Sequence, residues 1–150
     1  KLFEAGGQLG AVIANQPEAI EQALMSYGKH LGNAFQLIDD ALDYSASAEE
    51  MGKNVGDDLA EGKPTLPLIH AMENSEGKER ERIRSAIENG GGDQFDPIMK
   101  TITHTNAIEY TLDAAKLAVD EATDSAMKLP ESPYREALIS LAQFTLTRTH

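Results

Sequence analysis

Gln36, Asp39, Asp40 and Asp43 sit inside one otherwise apolar run, Phe35-Gln36-Leu37-Ile38-Asp39-Asp40-Ala41-Leu42-Asp43-Tyr44. At roughly 100° per residue, these four share an arc of about 100° on a helix, and Leu31, Phe35, Ile38 and Leu42 fall on another. The apolar arc is the expected core. The polar arc stacks like charges at i,i+3 and i,i+4, which costs a helix about 0.2–0.5 kcal/mol per pair. Acids near a helix C-terminus also oppose its dipole. A hard divalent cation offsets both costs. Asp39 and Asp43, one turn apart, can share or bridge it, and Asp40 can take a water-mediated place. Carboxylates with open positions suit Mg2+, which keeps waters and completes its shell with phosphate oxygens. The competing reading is a solvated acidic face, since the chain carries 25 acidic residues.

A second stretch follows closely, Gly52-Lys53-Asn54-Val55-Gly56-Asp57-Asp58-Leu59-Ala60-Glu61-Gly62-Lys63-Pro64-Thr65-Leu66-Pro67. Lys53 and Lys63 bracket a glycine-hinged loop. A lysine ammonium is a compact charge suited to diphosphate oxygens. Asp57, Asp58 and Glu61 are placed to orient the lysines. Lys63 precedes a proline-started helix, whose free N–H groups also favour anions. The alternative is a surface loop with scattered charge.

Helices must position these groups, and the pattern is helical nearly throughout. Leu2 to Ala14 is small-residue-rich, allowing close helix approach at a cost in propensity. Asn15 or Gln16 lies near a cap, with Pro17 in the next first turn. One helix then runs from about Pro17 to Tyr44, and Ser45 to Lys63 reads as a polar loop. Further helices are expected from Pro64 to Glu73, from Gly77 to Asn89 and from Phe95 to Thr103. Thr105 or Asn106 caps another to Leu129, and a last helix covers Tyr134 to Thr147. Gly90-Gly91-Gly92 reads as a helix stop. No strand-like alternation or repeat is present. The predicted architecture is an all-α helical bundle.

The length of 150 residues fits one domain with a real core. A net charge of −12 argues against a nucleic-acid partner, which needs a basic stripe. No apolar run reaches the roughly 18 residues of a membrane span. With no cysteine, there is no disulfide framework and no thiolate metal site; a reducing, cytoplasmic location is the expectation. His30, His70, His104 and His150 lack a shared ligand spacing and read as structural or surface residues. Met25, Met72, Met99 and Met127 read as core filler. No nucleophile elbow is visible. The chain begins with Lys1 in an uncapped helical segment, so it reads as a fragment starting inside a helix.

Together, the acidic run and the lysine loop closely resemble the second aspartate-rich region of trans-type polyprenyl diphosphate synthases. The resemblance continues through Leu68-Ile69-His70-Ala71-Met72 and Pro133-Tyr134-Arg135-Glu136-Ala137-Leu138, so it covers essentially the whole chain. It is fullest to bacterial long-chain members that make octaprenyl diphosphate for quinone side chains. It implies an isoprenoid synthase fold, of which 1–150 is the C-terminal portion of a single all-α domain. It implies that Asp39, Asp40 and Asp43 hold Mg2+, that Gln36, Lys53 and Lys63 contact the allylic diphosphate, and that Asp58 has a supporting role. Neither a nucleophile nor a base is implied. The substrates implied are an allylic diphosphate and isopentenyl diphosphate, and the assembly implied is a homodimer.

The departures from the family pattern are informative. The family's first aspartate-rich motif, its Lys-Thr pair and the basic residues for isopentenyl diphosphate belong upstream of Leu2-Phe3 and are not in this sequence. Asp57-Asp58 lacks the spacing to replace the first motif. The isolated chain is therefore expected to be inactive, and to self-associate or move near Leu2 to Ala14. A terpene cyclase and a non-catalytic helical subunit of a heteromeric synthase are the alternatives. The cyclase more often carries an Asn/Ser/Glu-type second metal motif, which this chain lacks.

Overall fold

The computed structural model describes residues 1–45 and 56–147, and among these the chain is helical with no strand. The all-α expectation holds. Helix α1 spans Leu2–Ile13, α2 Glu18–Leu42, α3 Asp57–Ala60, α4 Leu66–Glu73 and α5 Gly77–Asn89. After a 3-10 turn at Gly92–Gln94 come α6 Phe95–His104, α7 Ala107–Ala126 and α8 Pro133–Leu146. Two compact units result, Lys1–Ile38 with Ala114–Thr149, and Asp39–Asp113.

In the first unit the core gathers Tyr27, Leu31, Ala34, Ala118, Val119, Ala122, Ala126 and Ala142. Alanine-rich faces let helix axes come close. Helices α1 and α2 come closer still: Gly7 lies against the Leu24 carbonyl and Gly28 against the Phe3 carbonyl, with no room for a Cβ at either. Gly6 and Gly10 face open space, so only part of the small-residue run serves the close approach. The Tyr27 hydroxyl donates to the Leu138 carbonyl at 2.8 Å, and the Ser26 and Ser125 hydroxyls bond at 2.9 Å. Leu2, Leu9, Val12 and Ile13 of α1 are exposed.

The second unit has its own core of Tyr44, Leu59, Leu68, Ala71, Ile83, Ala86, Ile98, Ile102 and Ala107. Several expected boundaries shift here. Residues 57–60 form α3 inside the stretch read as loop, because Leu59 is fully buried and anchors a helical turn. Helix α4 starts at Leu66, with Thr65 as its N-cap and Pro67 in its first turn. Pro67 fits there because that turn needs no N–H from it; Pro64 precedes the helix. Thr105 caps the end of α6 rather than the start of α7: its hydroxyl donates to the Thr101 and Ile102 carbonyls at 2.8 and 3.2 Å. Met127 lies past the end of α7 and is 55% exposed, so it is not core filler.

Candidate functional site

The C-terminal turns of α2 carry the acidic cluster. Asp40 is buried at 7% exposure, Asp39 and Asp43 are half-buried, and Gln36, one turn earlier in the first unit, is exposed. Asp40 Oδ1 accepts a hydrogen bond from Lys63 Nζ at 3.1 Å. Lys63 Nζ also donates to Asp58 Oδ1 and Oδ2 at 3.1 and 2.9 Å. The Asp58 amide in turn donates to Asp43 Oδ2 at 3.1 Å. The Gly56 amide donates to the Asp43 main-chain carbonyl at 3.1 Å. Asp43 is thus gripped at carboxylate and backbone by the start of α3. Lys53 lies outside the described residues.

Local charge follows from these contacts. Burial raises the Asp43 carboxyl above its ordinary range; the Asp58 and Asp57 charges add to this, while the Asp58 amide and Lys63 oppose it. For Lys63, burial pulls its pKa down, but the hydrogen bonds to Asp58 and Asp40 outweigh it and hold the ammonium above its ordinary value. Burial likewise raises the Tyr44 phenol, against the hydrogen bond from Thr65. A carboxylate whose ionisation is opposed by buried surroundings and like charges is one that an added cation stabilises. The donor set is all oxygen, as Mg2+ requires. Among the described residues no three His, Asp or Glu side chains are arranged to hold a metal alone. These carboxylates would supply oxygen ligands on one side of a metal site that other ligands complete.

A glycine seat outside the acidic run fixes α3, where the sequence alone predicts only a helix stop. Gly90 ends α5 at φ +81°, and a Cβ there would lie 2.8 Å from the Ala60 carbonyl oxygen. The Gly91 amide donates to the Leu59 carbonyl at 3.0 Å. The doublet within Gly90-Gly91-Gly92 therefore lets α3 settle onto the end of α5. Phe95 covers Gly56, whose φ is +87° and whose added Cβ would meet the ring at 2.5 Å. Among the described histidines, His104 is exposed, while His70 and His30 make structural contacts. His70 Nε2 lies 3.2 Å from the Thr105 carbonyl and its ring stacks on Tyr110 at 4.0 Å; His30 Nδ1 lies 2.6 Å from Glu121 Oε2.

A polyprenyl synthetase family model matches residues 1–102. The chain is 48% identical over its whole length to octaprenyl diphosphate synthase of Haemophilus influenzae and 45% identical over 99% of its length to that of Escherichia coli. It covers 46% of each, so it spans about half the length of these relatives. Among solved structures, polyprenyl synthase from Caulobacter crescentus, complexed with calcium and isoprenyl diphosphate, superposes with a TM-score of 0.87 at 41% identity. It is matched over 99% of this chain and 46% of its own. A decaprenyl diphosphate synthase from Rhodobacter capsulatus gives 0.88 at 39% identity with the same coverages. With its aspartate-bearing helix, its lysine loop and a family match across two-thirds of its length, this chain belongs to the polyprenyl synthetase family.

Proposed function

We propose that this chain forms one diphosphate-binding wall of a chain-elongating prenyltransferase. The observation that carries the reading is the linkage of Asp40, Lys63, Asp58 and Asp43, which fastens an acidic helix end to a lysine loop. The bound calcium and isoprenyl diphosphate of the Caulobacter crescentus relative support it. In this reading Asp39, Asp40 and Asp43 hold Mg2+, Gln36, Lys53 and Lys63 contact the allylic diphosphate, and Asp58 orients Lys63. Bound Mg2+ supplies Lewis-acid stabilisation of the departing diphosphate.

The chain's own residues bind and orient the leaving group. The allylic C–O bond ionises, and the double bond of isopentenyl diphosphate attacks the allylic carbon. A proton then passes to the released diphosphate, so no side chain of this chain acts as nucleophile or base. Positioned charge facing the departing oxygens is the protein's contribution. The product assigned is octaprenyl diphosphate for quinone side chains, and the working enzyme is assigned as a cytoplasmic homodimer.

A chimera tests the reading. This chain replaces the matching portion of the Escherichia coli octaprenyl diphosphate synthase, and product is measured from farnesyl diphosphate, isopentenyl diphosphate and Mg2+. The folded chimera is expected to elongate and the 150-residue chain alone to give no product. Asp39→Ala in the chimera is expected to lower turnover at least about a hundredfold with the fold intact. A folded but inactive chimera, or an Asp39→Ala variant of near-parental rate, overturns the reading.

A further inference from the structure

We propose that Tyr44 and Thr65 are positioning residues for the acidic site, their hydroxyl–hydroxyl bond holding Lys63 against Asp40 and Asp58. This deepens the metal–diphosphate reading and rests on it. Tyr44 follows Asp43 directly, where α2 has ended, and is 2% exposed. Thr65 lies two residues past Lys63 and is also 2% exposed. Thr65 Oγ1 donates to Tyr44 Oη at 3.3 Å. The Thr65 amide donates to the Lys63 carbonyl at 2.9 Å. Lys63 Nζ binds Asp58, and the Asp58 amide binds Asp43, the neighbour of Tyr44. The bonds therefore close a ring through Tyr44, Thr65, Lys63, Asp58 and Asp43.

Two features say that the hydroxyls serve more than packing. Thr65 occupies the N-cap of α4, where a threonine hydroxyl ordinarily accepts an N–H of the first helical turn. It makes no such bond here; the hydroxyl is turned to the phenol instead. The Tyr44 ring is held by the apolar core around Leu59 and Leu68, a place a phenylalanine ring fills equally well. The phenol oxygen adds the bond that closes the ring. Groups that orient a ligand-binding side chain from behind typically change affinity about 10- to 100-fold when removed.

The test uses the full 150-residue chain with Tyr44→Phe, Thr65→Val, the double variant and Thr65→Ser. One readout is the 15N-edited NMR signal of Lys63 Nζ in the ligand-free chain. The other is the dissociation constant for inorganic diphosphate at saturating Mg2+, measured well below each variant's melting temperature. The expected result is a displaced or broadened Lys63 signal and about tenfold weaker diphosphate binding in both single variants. The double variant should weaken binding no further, and Thr65→Ser should restore both readouts. An unchanged Lys63 signal in Tyr44→Phe and Thr65→Val overturns the proposal. So does a loss that appears in melting temperature alone, or that adds up in the double variant. If the 150-residue parent binds no diphosphate, the binding arm is run in the chimera, where an absence of binding overturns the metal–diphosphate reading, and the Lys63 signal still decides whether the hydroxyl pair positions that lysine.

Discussion

The backbone amide of Asp58 donates to the Asp43 carboxylate at 3.1 Å, while its side chain grips Lys63 at 2.9 and 3.1 Å. One residue thus joins the acidic helix to the lysine loop through two different groups, and the two can be separated by mutation. Asp58→Asn keeps the amide and removes the charge. Because the Lys63 side chain is 39% exposed, solvent screens the pair, and the variant should lose less than about 1 kcal/mol of stability. Lys63 then keeps the Asp40 carboxylate but meets only a neutral amide oxygen at position 58, and Mg2+-dependent diphosphate affinity should fall about tenfold. Urea melts and calorimetry on the same samples check both; a large stability loss with unchanged affinity would count against the role given to Asp58.

Asp43 gives a prediction with a sign. Its carboxyl is raised in the folded chain, chiefly by burial and then by the Asp58 and Asp57 charges. The folded state therefore holds this proton more tightly than the unfolded chain, whose aspartates titrate near about 3.9. The cost of ionising Asp43 is fully present above its folded pKa and vanishes below about pH 3.9. Asp43→Asn keeps an oxygen to accept the Asp58 amide and carries no charge. The variant should be more stable than the parent at neutral pH, with an advantage that shrinks as pH falls through the raised pKa. It should also lose Mg2+-dependent diphosphate binding. Denaturant midpoints between about pH 3 and 7, without metal, measure the first effect; a variant less stable at neutral pH contradicts it.

The α2 pattern was legible because its information is local. Ile38 and Leu31 are buried, as the 3.6-residue period demands, and Asp39 and Asp43 share the next face. The start of α4 was misplaced because proline marks several early positions, and only the extended backbone of Thr65 decides among them. Lys63 shows the same limit at the site. Its spacing reads as a phosphate ligand, and nothing local tells that Asp40, 23 residues away, and Asp58 hold it. The glycine seat was read as a stop because its second task, the approach of Ala60 and Leu59 to Gly90 and Gly91, is a tertiary contact.

That seat can be tested beside its own control. Gly90 combines φ +81° with an Ala60 carbonyl oxygen 2.8 Å from any added Cβ. Gly92 has neither a positive φ nor a tight neighbour, its nearest contact being Ala60 Cβ at 3.4 Å. Gly90→Ala should therefore cost about 1–3 kcal/mol, and Gly92→Ala should stay within about 0.5 kcal/mol of the parent. The Gly90 variant should also weaken diphosphate binding, since α3 carries Asp58. Equal stabilities for the two variants would remove the seat from the account.

Tyr27 supplies a test in the first unit. Its ring is buried at 4% exposure, its hydroxyl donates to the Leu138 carbonyl at 2.8 Å, and burial pushes its pKa up to about 12. The unfolded phenol ionises near about 10. Between those values the folded state binds more protons than the unfolded one, so stability falls as pH rises, by at most about 1.4 kcal/mol per pH unit. Tyr27→Phe removes this bond to the Leu138 carbonyl, costing about 1 kcal/mol at neutral pH. It also removes this titration. Tyr44 is raised in the same direction and still contributes, so the alkaline decline should become shallower without disappearing. Urea melts from about pH 8 to 12 should show the gap between parent and variant closing as the parent loses its Tyr27 proton; a gap constant across that range contradicts the buried, protonated phenol.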